Sequence, residues 1–490
     1  MTPARIAPLL CVIGFSALAL PGCAVGPNFH TPEPPRVQAY GVTPAPAAAG
    51  GQRLVPGAAP DAAWWRSFGS AELDRLMDAA LARNPDLASA RAALKGARET
   101  WLAQRGALMP AIDVEGQAQR ARSSQALSPV LNADIFTYNL YSTQLNVGYT
   151  LDLFGGVRRG VEAARAQAEQ QQFESEAAYL TLTSNVAGAY IQLLALRDQL
   201  AATEALAATA ARLVELTRLQ HDHGQVSGAE LAQAEAQLAQ ARNAVPTLKK
   251  QVAQQVDLLA ALCGQAPSEA GAPAGQLADL RLPAELPLSL PSQMVRQRPD
   301  VRAAEAAVHA ASAELGVAIA NRLPNITING AAGGASPLFG SVLTSPNQLW
   351  SISGAVAQPV FQGGALMHRQ RAARAALDQA QAQYRSAVLT GFQNVADVLA
   401  AIDNDAEGLT TAKAAEDAAR RNADIAVLRH RTGDVSGVDE LNAQTTVLQS
   451  GLARSQAQAA RLADSVALFV ALGGGWEGRR DFDAAVTAPG

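Results

Sequence analysis

The octapeptide HRTGDVSG at residues 430–437 has a near copy, HDHGQVSG, at residues 221–228, with His, Gly, Val, Ser and Gly in common. Each copy follows a very long stretch without proline, 364–429 and 156–220. An α-helix rises about 1.5 Å per residue, so a continuous helix over either stretch would be about 98 Å long. Such a helix persists only when it packs along its length. The sequence therefore predicts that two long helices each reverse into a returning helix.

The octapeptides carry the residues that end one helix and start another. Gly224 and Gly433 stand where a helix C-terminus needs a positive φ. Ser227 and Ser436 are suited to cap the returning helix, and an acidic residue follows each serine by three positions, as in a capping box. We therefore expect two equivalent, tight hairpin turns.

The two octapeptides are 209 residues apart, and other landmarks repeat at a similar offset of 214 residues. LARNPDLASARAAL at 81–94 matches VRQRPDVRAAEAAV at 295–308. A repeat of this length is too long for a solenoid unit. It predicts two structurally equivalent halves, 71–266 and 291–475, each with a helical stretch of roughly 30 residues, two strands and a long helical hairpin.

The remaining segments lie outside these halves. Residues 267–290 are rich in Pro, Gly and Ala and are expected to be a linker. Residues 23–70 form a predicted N-terminal arm, and 476–490 a C-terminal tail.

The strand prediction comes mainly from QLNVGYTLDLF at 144–154, where apolar and polar residues alternate with period two. The apolar positions are Leu145, Val147, Tyr149, Leu151 and Leu153. This pattern is typical of an outer-membrane β-strand, although a half-buried strand of a soluble sheet has the same alternation. Three more strands are predicted, at AIDVEG (111–116), NITING (325–330) and WSISGAVAQPV (350–360).

Four strands cannot close a barrel, and an open sheet edge in lipid leaves backbone groups without hydrogen bonds. If the strands cross a membrane, the chain must therefore oligomerise. Two copies would give a barrel largely filled by side chains, whereas three copies would leave a lumen. A conduit therefore favours three copies.

The N-terminus has the features of a signal peptide. Residues 1–22 contain Arg5 and then the apolar run APLLCVIGFSALALPG, which is too short for a confident membrane span. The run ends at LPGC, which resembles a bacterial lipobox, so Cys23 is predicted to carry diacylglycerol and an N-acyl chain. In that class Ala24, in place of aspartate, implies export to the outer membrane. An ordinary secreted protein cleaved near the same place is the alternative.

Several classes of function are disfavoured. The formal net charge is −4, so there is no basic footprint for nucleic acid. His221 and His223 lack the cysteines or carboxylates of a metal site, and the glycine pairs after Phe154 and Phe361 lack the lysine of a phosphate loop. Cys263, the only cysteine left after processing, is expected to be a buried residue near a helix end. The sequence therefore predicts no enzyme, no cofactor and no metal.

Three segments resemble the TolC/OprM superfamily, specifically NodT-type outer-membrane factor lipoproteins of efflux systems. They are CAVGPNFHTPEPP (23–35), WWRSFGSAELDRLMDAALARNPDL (64–87) and RQRPDVRAAEAAVHAASAELGVAIANRLPNI (296–326). Leu323 stands where the family often has phenylalanine. The resemblance implies an α+β membrane protein: a trimeric, twelve-stranded transmembrane β-barrel, with four strands per chain, on a long periplasmic α-helical barrel of coiled-coil hairpins.

The resemblance also implies site residues. In the family, the hairpin tips contact a periplasmic adaptor, and here these positions are Gly224, Val226, Ser227, Gly433, Val435 and Ser436. The same residues are also needed for tight caps. A periplasmic gate is expected at Asp439, with Asn442 at a second position that is often acidic and Asp434 as its possible substitute. Asp439 equally has a capping role.

The implied function is that of the outer-membrane channel of a tripartite efflux pump of the resistance-nodulation-division type. Its expected partners are two further copies of the chain, a periplasmic adaptor (membrane fusion protein), an inner-membrane pump and outer-membrane lipid. A type I protein-secretion conduit and a trimeric coiled-coil surface protein are the alternatives. The exported substrate cannot be read from the residues.

Overall fold

The computed structural model describes residues 24–33, 37, 39–40, 48–49, 51–122 and 137–476. Cys23, the signal peptide and nearly all of the predicted tail lie outside the described residues. The chain divides into two compact units. The first unit comprises residues 1–30, 100–165 and 309–378, and the second comprises 31–99, 166–308 and 379–490.

The order of elements is the same in the two halves of the chain. In the first half it is α1 (Ala71–Arg83), α2 (Pro85–Gly106), β3 (Ala111–Arg122), β4 (Thr137–Leu151), α3 (Gly156–Asp222) and α4 (Gly228–Leu262). In the second it is α5 (Pro291–Gln297), α6 (Pro299–Ala320), β6 (Asn325–Ser336), β7 (Gln348–Ala357), α7 (Ala365–Arg431) and α8 (Gly437–Ala471). The long helices α3 and α7 have 67 residues each, and the returning helices α4 and α8 have 35 each.

The prediction of one helical stretch at the start of each half is wrong, because each stretch is two helices. The breaks lie at Asn84 and Arg298, which are both extended. A proline follows each of them, and the ring of proline disfavours helical backbone at the residue before it while suiting the first position of a new helix. The side chain of Asn84 also caps α2, since its Oδ1 accepts a hydrogen bond from Leu87 N at 2.9 Å.

In the first unit, the described strands form an antiparallel sheet in the order β3-β4-β6-β7. The register places alternate residues of all four strands on a common face. One face carries large exposed apolar side chains: Ile112, Val114, Leu145, Ile328, Trp350, Ile352 and Val356. The opposite face is mostly polar: Asp113, Glu115, Gln117, Gln144, Asn146, Asn325, Thr327, Asn329, Ser351 and Ser353. We call these the apolar face and the polar face.

The strand β4 ends at Leu151, so the predicted alternation through Leu153 extends too far. The reason is a helix cap. The carboxylate of Asp152 accepts hydrogen bonds from Val157 N at 3.0 Å and Arg158 N at 2.8 Å, which fixes the start of α3. A residue that binds the first helical turn cannot also continue the strand.

In the second unit, the N-terminal arm contributes two strands and the expected linker contributes one. β1 (Ala48–Ala49) and β2 (Gln52–Pro56) belong to the arm, and β5 (Glu285–Leu288) lies within the linker. β2 pairs antiparallel with β1 and parallel with β5. Leu54 and Leu286 are buried there, so short apolar runs inside Pro- and Gly-rich sequence are enough to form this small sheet.

The core of the second unit contains a cluster of large side chains around Trp64. The ring of Trp64 stacks on Phe469 with centroids 5.4 Å apart. Cys263 is buried directly after α4, as predicted, and burial raises the pKa of its thiol. In the part of the chain that the structure describes, no helix has an apolar stretch sufficient to cross a bilayer.

Candidate functional site

The first turn, residues 221–230, joins α3 to α4. Gly224 has φ 72°, and its amide donates to His221 O at 2.8 Å, which ends the helix. Ser227 and Glu230 form a capping box: Glu230 N donates to Ser227 Oγ at 3.4 Å, and Ser227 N donates to Glu230 Oε2 at 2.7 Å. Both predicted caps are confirmed, so the chain reverses within a few residues.

The second turn, residues 430–439, joins α7 to α8 in the same way. Gly433 has φ 75°, and its amide donates to His430 O at 3.0 Å. Asp439 N donates to Ser436 Oγ at 3.2 Å, and Ser436 N donates to Asp439 Oδ2 at 3.0 Å. The predicted capping box is again confirmed, with aspartate in place of glutamate.

The shared histidine and final glycine have a packing role that the sequence reasoning missed. A Cβ at Gly228 would lie 3.7 Å from Nε2 of His221, and a Cβ at Gly437 would lie 3.4 Å from Cε1 of His430. Each histidine therefore packs beside the first residue of the returning helix. The recurrence of His seven residues before Gly was the available signal.

The predicted adaptor-contact residues lie together on these turns. Val226 and Val435 are half-buried. The glycines and serines of both turns are exposed: Gly224, Ser227, Gly433 and Ser436.

The three gate candidates lie on the second turn and the start of α8. Asp439 is exposed, and the hydrogen bond from Ser436 lowers the pKa of its carboxyl, with a further contribution from Arg429. Asp434 pairs with Arg429 at 2.6 Å between Oδ2 and Nε, and Asn442 is exposed. Asp439 is therefore ionised but already bound within its own chain, whereas Asn442 is neutral.

Arg429 was not among the predicted site residues. It lies in the last turn of α7 together with His430 and Arg431. Positive side chains at a helix C-terminus interact favourably with the helix dipole, and this basic cluster was a readable signal. Its effect is that part of the negative charge of the second turn is neutralised.

The residues directly after Cys23 lie against the start of α3. Val25 N donates to Phe154 O at 3.0 Å, and Arg159 donates to Val25 O at 3.2 Å and to Asn28 Oδ1 at 2.7 Å. Phe29 stacks on His309 with ring centroids 4.3 Å apart. These contacts, all within the first unit, fix the described start of the arm next to the end of β4.

An ion-pair cluster supports this contact. Arg159 Nη1 lies 2.7 Å from Glu162 Oε2, and His309 Nε2 lies 2.9 Å from Glu162 Oε1. Partial burial acts to raise the pKa of Glu162, but the hydrogen bonds from Arg159 and His309 outweigh it, so the pKa lies below its ordinary value. Glu162 is therefore ionised at neutral pH and holds the two groups that contact the arm.

The two histidines of the first turn do not assemble a metal site. His221 Nδ1 lies 3.7 Å from an oxygen of the adjacent Asp222. Within the described ranges, no three His, Cys, Asp or Glu side chains are grouped as metal ligands.

Comparison with known proteins identifies the family. The sequence profile of the outer membrane efflux protein family matches residues 76–265 and 290–474. The chain is 29% identical over 480 residues to the pyoverdine export outer membrane protein OpmQ of Pseudomonas putida, covering 96% of this chain and 97% of OpmQ. It is 30% identical over 491 residues to the probable efflux pump outer membrane protein TtgC of the same species, covering 98% and 99%.

The fold agrees with solved outer-membrane channels. The structure superposes on OprN with a TM-score of 0.82 at 27% identity, covering 93% of this chain and 100% of OprN. It also superposes on the Campylobacter jejuni channel CmeC with a TM-score of 0.84, covering 95% and 98%. These matches confirm the resemblance to TolC/OprM-type outer-membrane factors and the prediction that the protein is not an enzyme. The chain therefore belongs to the outer membrane efflux protein family.

Proposed function

We propose that the protein is the outer-membrane channel of a tripartite efflux pump of the resistance-nodulation-division type, and that it works as a trimer. The observation that carries this proposal is the four-stranded sheet. It has an apolar and a polar face, and in the described residues β3 and β7 pair on one side only. Backbone groups at an open edge are strongly unfavourable in hydrocarbon, so the edges must pair with other copies.

Three copies supply twelve strands from four in each chain. In the closed barrel the apolar face meets lipid and the polar face lines a lumen wide enough to conduct. Small molecules then pass through it without an energy source in the channel itself. The same order of elements in residues 71–266 and 291–475 supports the proposal that the two halves arose by duplication.

The protein is anchored to the outer membrane by lipid on Cys23. The contacts of Val25, Asn28 and Phe29 support this, because they hold the chain directly after Cys23 at the junction of β4 and α3. From there α3 and α7 extend into the periplasm, each about 100 Å long at 1.5 Å per residue.

The hairpin turns are the proposed contacts for a periplasmic adaptor, which links the channel to an inner-membrane pump. The similarity to TtgC, an efflux pump protein, and to OpmQ, a pyoverdine export protein, supports a partner of this kind. The contact residues are Gly224, Val226, Ser227, Gly433, Val435 and Ser436. Asp439 is the proposed gate residue, with Asp434 and Asn442 beside it.

The channel function is tested by reconstituting the acylated protein in planar bilayers. We expect discrete conductance steps from trimers, and loss of efflux in a strain that lacks the gene. A stable monomer without conductance, combined with unchanged drug accumulation in the deletion strain, would falsify the proposal.

The gate is tested by Asp439→Ala, with Ser436→Ala as the matched control. Both changes disrupt the capping box, but only Asp439→Ala removes a carboxylate. We expect higher single-channel conductance and weaker cation selectivity for Asp439→Ala alone, because a ring of three carboxylates attracts cations in a narrow lumen. Equal behaviour of the two variants would remove Asp439 from the gate and leave it a cap.

A further inference from the structure

The connection between β6 and β7, residues 337–347, is held together by its own hydrogen bonds. The Oγ atoms of Ser336 and Ser341 lie 2.7 Å apart, and Asn347 Nδ2 donates to Ser341 O at 2.7 Å. Thr344 Oγ1 also donates to Ser341 O, at 2.8 Å. We call this segment the β6–β7 loop. Its bonds give it one defined shape.

The β6–β7 loop folds onto the apolar face of the sheet. The register places Gly334 and Gln348 opposite each other on that face. A Cβ at Gly334 would lie 1.9 Å from Val342 O, so the loop backbone lies directly over this glycine. Gln348 Nε2 donates to Leu343 O at 3.2 Å.

A contact with the neighbouring strand agrees with this placement. Tyr141 of β4 is on the apolar face, opposite Ser336. Its ring meets the ring of Phe339 edge-on, with centroids 5.7 Å apart. Four residues of the apolar face therefore contact the loop: Tyr141, Gly334, Ser336 and Gln348. The loop turns toward the side that meets lipid and away from the lumen.

The loop exposes large apolar side chains on this side. Leu338 is 69% exposed, Phe339 78% and Leu343 66%, which is similar to Trp350 at 77% on the same face. Moving each of these side chains out of water is favourable, because it removes apolar surface from water. Apolar side chains concentrated on an ordered loop mark a surface that is covered in the working protein.

The charges nearby indicate what covers it. Arg120 and Arg122 lie on the apolar face by register, at the same end of the sheet as the loop. This end is opposite the one at which β3 follows α2 and β4 leads to α3. Arginine beside an apolar band suits an interface between acyl chains and anionic head groups.

We infer that the β6–β7 loop is an anchor in the outer leaflet of the membrane. Leu338, Phe339 and Leu343 enter the acyl chains of anionic lipid, and Arg120 and Arg122 meet its head groups. This inference rests on the proposed function, since it needs the sheet to cross the membrane with its helix end inward. The loop then fixes the depth of the sheet from the outside, while the lipid on Cys23 does so from the inside.

Fluorophores on single cysteines test the depth of the loop. The full acylated chain is labelled at Phe339→Cys or Leu338→Cys with an environment-sensitive dye, since Cys263 is buried. Ile352→Cys on the apolar face and Ser353→Cys on the polar face are the reference positions. The trimers are placed in vesicles of phosphatidylcholine and phosphatidylglycerol, and quenching by brominated acyl chains is compared with quenching by aqueous iodide.

We expect brominated lipid to quench Phe339→Cys, Leu338→Cys and Ile352→Cys by roughly half or more, and iodide to quench Ser353→Cys. If Ile352→Cys is quenched by lipid but both loop labels respond only to iodide, the loop is not a membrane anchor, whereas the proposed channel function is not contradicted. If Ile352→Cys itself is not quenched by lipid, the proposed function fails first. Loop labels shielded from both quenchers would show protein on the loop, which also overturns the anchor.

Discussion

The helix pairs α3–α4 and α7–α8 have equal lengths and equivalent turns, but their buried charges lie at different positions. Each element of the second pair begins 209 residues after its counterpart. At equivalent positions, the second pair has Asp405, Arg461 and Asp464 where the first pair has Leu196, Val252 and Gln255. The second pair also has Glu416, Arg420 and Arg454 where the first pair has Ala207, Ala211 and Val245. The first pair folds without these charges, so the helical hairpin does not require them.

The charged residues of the second pair form two clusters. Glu416 is buried and joins the two helices, with one oxygen 2.6 Å from Arg420 of α7 and the other 2.5 Å from Arg454 of α8. Arg461 is fully buried near Asp464 and Asp405. A buried ion pair is rarely more stabilising than apolar residues of similar volume. The comparison therefore indicates that the second pair depends on charge partners at positions where the first pair has uncharged residues.

The largest effect is expected from breaking the Glu416 cluster. Glu416→Ala leaves Arg454 without its partner between the helices and should cost about 3 kcal/mol, the low end for a broken buried pair. Thermal unfolding of trimers in detergent, followed by the helical circular dichroism signal, measures this.

The matched control is a triple variant of the second helix pair that carries the residues of the first pair at these three positions. Glu416→Ala, Arg420→Ala and Arg454→Val together should recover most of the loss, because neither arginine is then left facing the position of the missing Glu416 carboxylate. A triple variant less stable than Glu416→Ala would contradict the comparison.

A pH-dependent effect is expected from Asp464. Burial raises the pKa of its carboxyl to about 7, and negative charge on Asp405 adds to the shift, while Arg461 acts against it. The unfolded group titrates near 3.9, at roughly its ordinary value. Between these pH values the folded state binds the extra proton, so the free energy of unfolding should fall as pH rises from about 4 to about 7.

Asp464→Asn should remove this part of the pH dependence and raise the stability above neutral pH. The control is Asp424→Asn, since Asp424 is an exposed carboxylate of α7 that is not among the groups acting on Asp464 or Arg461. Melting temperatures of both variants across that pH range are the measurement. An unchanged slope in Asp464→Asn would mean that the carboxyl titrates normally.

The sequence was sufficient for the elements of this fold but not for its buried charge. The turns could be predicted because Gly224, Gly433 and the two serines each satisfy a local backbone requirement. The breaks at Asn84 and Arg298 were readable too, since both precede proline. The sheet order β3-β4-β6-β7 and the burial of Glu416 depend on contacts between distant segments, and no local pattern reports them.

The candidate site shows the same limit. Asp439 could be assigned to a capping box from its spacing, and the structure contains that box. The pairing of Asp434 with Arg429 was not predicted, because an i, i+5 contact forms only after the turn has folded. The proposed gate brings together charge from three copies, so a contact between chains decides it and no local pattern within one chain encodes it.

The smallest effect is expected from the caps of the two turns. Ser227→Ala and Ser436→Ala should each weaken the start of the returning helix by about 1 kcal/mol. The second turn has further bonds, among them Arg429 to Asp434 and His430 Nδ1 to Val435 O at 3.1 Å, so its amides should lose less protection from exchange. Hydrogen exchange of the first amides of α4 and α8 measures the difference.

Asp434→Asn in the Ser436→Ala background should bring the second turn closer to the first. The extra loss should be about 0.5 kcal/mol, since both members of the ion pair are more than half exposed. Raised salt should produce a similar loss without the substitution, because exposed charge pairs are screened. If exchange in the two turns is already equal in the single serine variants, the ion pair of Asp434 does not stabilise the second turn, and a contact outside the chain becomes the explanation for Asp434.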